Sequence, residues 1–207
     1  MHYSKPCQTL VNEHDVIISV IEAVEAMVQK ADSEGLNHGF FEKACDFFAT
    51  FADTCHHGKE EAHLFPMLES RGIPREGGPI GCMLHEHEEG RAEIRAAREA
   101  LNAMDRGDRS AGRILILAFR RFCELLRQHI QKENQVLFVV GDRAMSDADK
   151  ELLDRQFNCA HHDKLPPGTH ENYTSLAGEL RKVAGLGPAE PGLSRNQGEV
   201  THSCHHK

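Results

Sequence analysis

Six residues of this chain recur in a three-part pattern at constant spacing, and their types are those that bind metals. His14 is followed 42 residues later by His56 and four residues after that by Glu60. His87, His129 and Glu133 repeat the same intervals 73 residues further on. Four imidazoles and two carboxylates delivered by a twofold repeat form a ligand set for two metal ions. An H-x-x-x-E pair on a helix puts both side chains on one face about one turn apart. The imidazole then binds one ion while the carboxylate bridges to the next. Neutral imidazole with carboxylate suits iron or manganese, with zinc a further option. Two histidines per ion and two bridging glutamates leave coordination positions for oxygen, peroxide, nitric oxide or water.

Such a site needs long helices with one apolar face, and the hydrophobic pattern supplies four of them. The first stripe runs Leu10, His14, Ile17, Ile18, Ile21, Val24, Val28 and closes at Gly35. A second runs from Phe41 through Cys45, Phe48, Ala52, His56 and Glu60 to a stop around Pro66. The third, Ile80 to Leu101, carries His87; the fourth, Ile114 to Leu137, carries His129 and Glu133 and ends at Gly141. Helical period throughout, no alternating strand and short connections predict an all-α fold, an antiparallel up-down four-helix bundle over residues 1–141. Ser146 opens a helical extension over 142–186, broken by Pro166-Pro167-Gly168, and residues 187–207 read as a flexible tail.

The candidate ligands all fall on the apolar stripes, where an unpaired imidazole or carboxylate is costly. At α-helical period the adjacent His57 shares its face with Asp53, Thr50, Asp46 and Lys43. His57 and Glu61 are therefore expected to point to solvent. His63 falls on the inner face as a core-edge histidine or an extra ligand, and His85 points away from His87 as a solvated side chain. His161, His162 and His170 lie in the extension, where exposure is the plainer reading and a lid over the open bundle end the alternative. His202, Cys204, His205 and His206 could hold a soft metal weakly. Cys55 and Cys123 share faces with phenylalanines and read as packing.

The 207 residues carry a net charge of -8, and no basic run occurs, which argues against nucleic acid and anionic membrane as partners. The first thirty residues show no signal-peptide pattern, and the longest apolar stretch is far too short to span a bilayer. Seven cysteines without a C-x-x-C pair fit a reducing compartment, with cytoplasm as the expectation. No apolar stripe demands an oligomer.

These residues resemble the hemerythrin-like (HHE cation-binding) domains. The match is to the H…HxxxE…H…HxxxE pattern at His14, His56, Glu60, His87, His129 and Glu133, with "EEAHLFP" at 60–66 and "HEHEE" at 85–89. It covers about residues 8 to 140, and more loosely "GTHENY" at 168–173. The resemblance implies a four-helix bundle around a non-haem di-iron centre. His14, His56, His87 and His129 would be terminal ligands, and Glu60 and Glu133 bridges. Reversible oxygen carriers of the family have a second histidine one turn after the third-helix ligand; that position here is Arg91. They tend to use an aspartate where this chain has Glu133. A more open site is implied, one that binds or reacts with oxygen, peroxide or nitric oxide; an iron-sensing or metal-buffering protein without turnover is the alternative.

Overall fold

Helix α1 (Lys5–Glu34) starts with proline in its first turn, where a missing N–H costs nothing, and ends at Gly35, whose φ of 81° favours glycine. The Asn37 side chain caps the start of α2 (His38–Phe47) by accepting the Phe40 N–H. From α2 the chain continues without a break through π-helical turns at Phe48–His57 and Glu60–Leu64 into α3 (Phe65–Ser70). Pro66 was the expected stop; it instead sits in the first turn of α3. After a tight loop comes α4 (Pro79–Asp105), then α5 (Ala111–Lys132). Helix α5 passes through a π-helical turn at Glu133–Leu137 into α6 (Phe138–Ala144). Gly141 was likewise an expected end, and the helix runs past it. A Cβ there would meet the Leu68 side chain at 2.9 Å, so the glycine lets α6 lie close against α3.

The structure, a computed structural model, describes residues 3–163 and 166–195. All its regular elements among these residues are helical. Helices α7 (Asp147–Asp163) and α8 (Thr169–Val183) follow, with a short 3₁₀ turn at Leu193–Arg195. No helix among the described residues is long and apolar enough to cross a membrane.

Two apolar clusters hold the helices together. The larger joins Ile17 to Val28 of α1, the phenylalanines around 40–51, Ile94 to Leu101 of α4 and Leu115 to Ile130 of α5. The smaller joins Leu10 and Val11, Leu64 to Leu68, Ile80 and Met83, Leu137 and Phe138. The candidate ligands lie where the two clusters meet along each helix, as His14 lies between Val11 and Ile17; His129 stands at the edge of the larger cluster, beside Ile130. The metal-type residues thus form a polar layer sandwiched by apolar ones, with rigid packing on both sides.

The extension completes both clusters rather than sitting outside them. Leu153 and Phe157 of α7 pack into the smaller one, Ala177 and Leu180 of α8 into the larger. Arg181 is buried and donates to the Ser19 carbonyl and to Glu22. Beyond α8, within the stretch expected to be a flexible tail, Asp15 accepts from the N–H groups of Gly192 and Ser194 and from the Ser194 hydroxyl. The fourth stripe departs in one detail: Ile114 is exposed, and Leu115 takes the inward place.

Candidate metal centre

The six predicted residues come together. His14, His56, His87, His129, Glu60 and Glu133 are all buried, each exposed by 1% or less. They fall into two groups, each with ligand-type atoms within 4.8 Å of one another. One is His14, His56, Glu60 and Glu133; the other is His57, Glu60, His87 and His129. Glu60 belongs to both. Its Oε1 lies 3.6 Å from His56 Nε2 and its Oε2 lies 3.5 Å from His87 Nε2. Glu133 spans the same gap from the other side, with Oε2 3.2 Å from His14 Nε2 and 3.3 Å from His129 Nε2.

The inward atoms lack partners. Both oxygens of Glu60 and of Glu133, and Nε2 of His14 and His56, are buried without a hydrogen bond. Leaving such groups unsatisfied costs a few kcal/mol each, more for a charge. Burial, and then the charge of Glu133, raise the pKa of Glu60 well above the ordinary carboxylate range. Burial opposes ionisation of Glu133 too, but His129, His14 and His87 outweigh it and hold its carboxyl below that range. Two carboxylates so placed ionise together only with a cation between them. The donor set therefore fits metal ions.

The outward atoms, by contrast, are held. His14 Nδ1 is 2.9 Å from Asn134 Oδ1, and His56 Nδ1 is 3.0 Å from Glu13 Oε2. His87 Nδ1 is 2.7 Å from Glu61 Oε1, and His129 Nδ1 is 3.0 Å from Glu86 Oε2. An acceptor at Nδ1 keeps the proton there and turns the Nε2 lone pair inward, which is how metal-binding imidazoles are oriented. His87 and His129 then present two lone pairs to each other at 3.1 Å, an arrangement a cation relieves. Phe138 stacks on His14 and Phe65 on His87, and the two phenylalanines are themselves 73 residues apart.

The sequence reading missed this outer layer, although the 73-residue shift runs through it. Glu13 and Glu86 are 73 apart, as are Lys59 and Lys132, and Glu61 and Asn134. Each glutamate reaches across to the histidine of another helix rather than to its own neighbour. Lys59 is buried and pairs with Glu13 at 2.5 Å, while Lys132 pairs with Glu86 nearer the surface. His170 of α8 comes within 3.6 Å of Glu13 and packs on Phe51, so the extension touches this layer.

His57 and Glu61 correct the expectation of a solvent face. His57 is buried and stacks on His87, ring centres 3.8 Å apart; Glu61 is partly buried against His87 and Arg91. The cause is the π-helical winding of Phe48–His57. Its hydrogen bonds reach back five residues rather than four, as in Gly58 N–H to the Asp53 carbonyl. Each turn then takes up an extra residue, and a face drawn at α-helical period slips by one position. His63 belongs to neither group and lies beside Phe157. His85 is exposed near Glu89, as expected. The side chains of His161 and His162, and residues 196–207 with His202, Cys204, His205 and His206, lie outside the described residues.

Burial, and then His14, push the His56 imidazole down to about 4 from an ordinary 6.5. Between those values His56 is less protonated in the folded chain than in the unfolded one. In metal-free protein this contribution to stability is therefore full above pH 6.5 and declines as pH falls toward 4. The loss from His56 is on the order of 3 kcal/mol. The change in urea-unfolding free energy of the metal-free protein between pH 7 and pH 4, compared between wild type and His56→Phe, isolates this contribution; an equal change in both would contradict it.

The profile of the Hemerythrin HHE cation binding domain family matches residues 5–140. A protein named "Iron-sulfur cluster repair protein YtfE" from Dickeya chrysanthemi (strain Ech1591) is 34% identical over 87 residues, 41% of this chain and 39% of that protein. "Iron-sulfur cluster repair protein DnrN" from Neisseria gonorrhoeae is 36% identical over 87 residues, 40% of this chain and 54% of that protein. The chain thus spans only about two fifths to half the length of these relatives. No solved structure matches it. The family match spans well over half of the chain and all six predicted residues, and this protein belongs to the hemerythrin HHE cation-binding domain family.

Proposed function

We propose that the chain is an antiparallel up-down four-helix bundle over residues 1–141, with the extension 142–186 packed on it. It holds two non-haem iron ions, one at His14 and His56 and one at His87 and His129, with Glu60 and Glu133 bridging. The centre binds or reacts with a small oxidant or diatomic molecule: oxygen, peroxide or nitric oxide. By likeness to the relatives over their shared residues, its proposed role is in iron–sulfur cluster repair. The observation that carries this reading is Glu60, a fully buried carboxylate common to both ligand groups and without a hydrogen bond.

An iron pair supplies redox and Lewis-acid chemistry when bound. The chain supplies the rest. Glu13, Glu61, Glu86 and Asn134 fix the four imidazoles, and the apolar clusters on both sides exclude water. A cavity of about 190 Å³ reaches His57, His87 and His129 between Phe48, Gly90 and Phe122. It gives a diatomic molecule or peroxide room to reach the proposed centre, and its wall carries Asp53, Glu86, Arg91, Arg95 and Arg98 beside the apolar side chains.

The test is anaerobic loading with ferrous iron, metal counting, and addition of oxygen, peroxide or nitric oxide while the optical spectrum is followed. The expected result is two ions per chain and a spectral change with at least one of the three, lost in His56→Ala. Two ions with no change under any of them would contradict the reactive reading. More than two ions per chain would point to a metal buffer instead.

A further inference from the structure

The 73-residue repeat fails at one place in the polar layer, and the failure is ordered. The positions matching His57, Asp53 and Arg91 in the other half are Ile130, Leu126 and Ile18. All three are buried core residues. Three apolar side chains in one half are thus replaced by three linked polar ones in the other. Arg91 donates from Nε to Asp53 at 2.8 Å and from Nη2 to Glu61 at 2.7 Å. Asp53 faces His57 Nδ1 at 3.4 Å, and Glu61 takes His87 Nδ1. The Arg91 guanidinium therefore holds the carboxylates that face two adjacent imidazoles.

His57 resembles the four histidines already assigned, except that the group facing its Nδ1 stands at 3.4 Å, beyond the hydrogen bonds that hold the others. Its Nδ1 faces an outer carboxylate. Its ring is buried, and neither of its nitrogens makes a hydrogen bond. It offers a ligand atom within 4.8 Å of those of Glu60, His87 and His129. An imidazole stacked in a core without a partner has no structural reason to replace the isoleucine of the other half. We propose that His57 is a fifth imidazole ligand, directed at the ion of His87 and His129, with Asp53 and Arg91 as its positioning residues. This rests on the two-metal reading above. It supplies from the π-helical segment of Phe48–His57 the third imidazole that Arg91, at its position on α4, does not provide. The two ions are then unlike, one held by three imidazoles and the other by two.

The experiment compares the wild type with His57→Phe, which keeps the stack on His87 without a ligand atom, and with Asp53→Asn. Each is loaded with ferrous iron without oxygen, its iron affinity is measured by chelator competition, and its Mössbauer spectrum is recorded. The wild type is expected to show two distinct iron environments. His57→Phe is expected to keep one ion at unchanged affinity and hold the other at least 10- to 100-fold more weakly, with Asp53→Asn falling between. Free imidazole is expected to restore the second ion in His57→Gly, which a packing role would not allow. Two ions at wild-type affinity and an unchanged spectrum in His57→Phe would overturn the proposal while leaving the two-metal reading intact. A wild type that binds fewer than two ions would overturn both. Should His57→Phe not fold, the triple variant His57→Ile, Asp53→Leu, Arg91→Ile carries the residues of the other half and is judged by the same outcomes.

Discussion

Glu60→Leu is expected to abolish two-ion binding while leaving the metal-free chain as stable as wild type or more so. Both effects have one cause. Glu60 sits between His56 Nε2 and His87 Nε2 and is the carboxylate common to both ligand groups. Its removal takes a ligand from each proposed ion, and the weakening should exceed the ~100-fold seen for loss of an orienting partner. Without metal, the same carboxyl is fully buried and unpartnered, so its presence works against folding. Replacing a buried, unpartnered polar group by an apolar side chain of similar volume removes a cost of about 1–3 kcal/mol. Iron counting and urea unfolding of the metal-free variant read the two effects separately. A glutamate with a purely structural role would give the opposite sign in the second measurement.

Lys59→Met is expected to cost about 3–5 kcal/mol, the usual loss when one member of a buried ion pair is removed. Lys59 and Glu13 are both 2% exposed, so water cannot take over the lysine's part. Burial disfavours the Glu13 charge, but His170, His56 and Lys59 together hold its pKa well below the ordinary range. Taking Lys59 away strands much of that charge next to His56. Glu13→Gln in the same chain should recover part of the loss, and a double-mutant cycle by urea unfolding measures the coupling. The counterpart Lys132→Met should cost less, about 1 kcal/mol, because its pair with Glu86 is partly open to solvent. Equal losses at Lys59 and Lys132 would contradict the burial argument.

The two mutations mark what could be read from the sequence and what could not. Glu60 was legible because a helix places residues four apart on one face and the surrounding apolar stripe said which face. Lys59 and Glu13 were not, because their meeting depends on how α1 packs against the π-helical turns, 46 residues apart in the chain. The same holds for Glu86 with His129 and Asn134 with His14. A test of the 73-residue shift on every polar residue, rather than on histidines and glutamates alone, would have drawn in Glu13 and Glu86, and Lys59 and Lys132.

His57 was misplaced for a different reason. The assumed period was that of an α-helix, and the backbone around it winds with an extra residue per turn. π-Helical turns occur at both H-x-x-x-E segments, at Glu60–Leu64 and at Glu133–Leu137. The regular period therefore fails where the candidate ligands stand, as is common for π-helical turns at functional sites. Arg91 was read from the sequence as a vacancy left by an absent histidine. In the structure it is the clamp on Asp53 and Glu61.

In the proposed centre a pair of ions lies in one polar layer, joined by Glu60 and Glu133. The most direct test is the number of ferrous ions bound tightly per chain, by anaerobic titration of the metal-free protein with chelator competition. Two per chain are expected in the wild type and fewer than two in Glu60→Leu. A wild type that saturates at one ion or none, or a Glu60→Leu protein that still binds two, would contradict the paired centre.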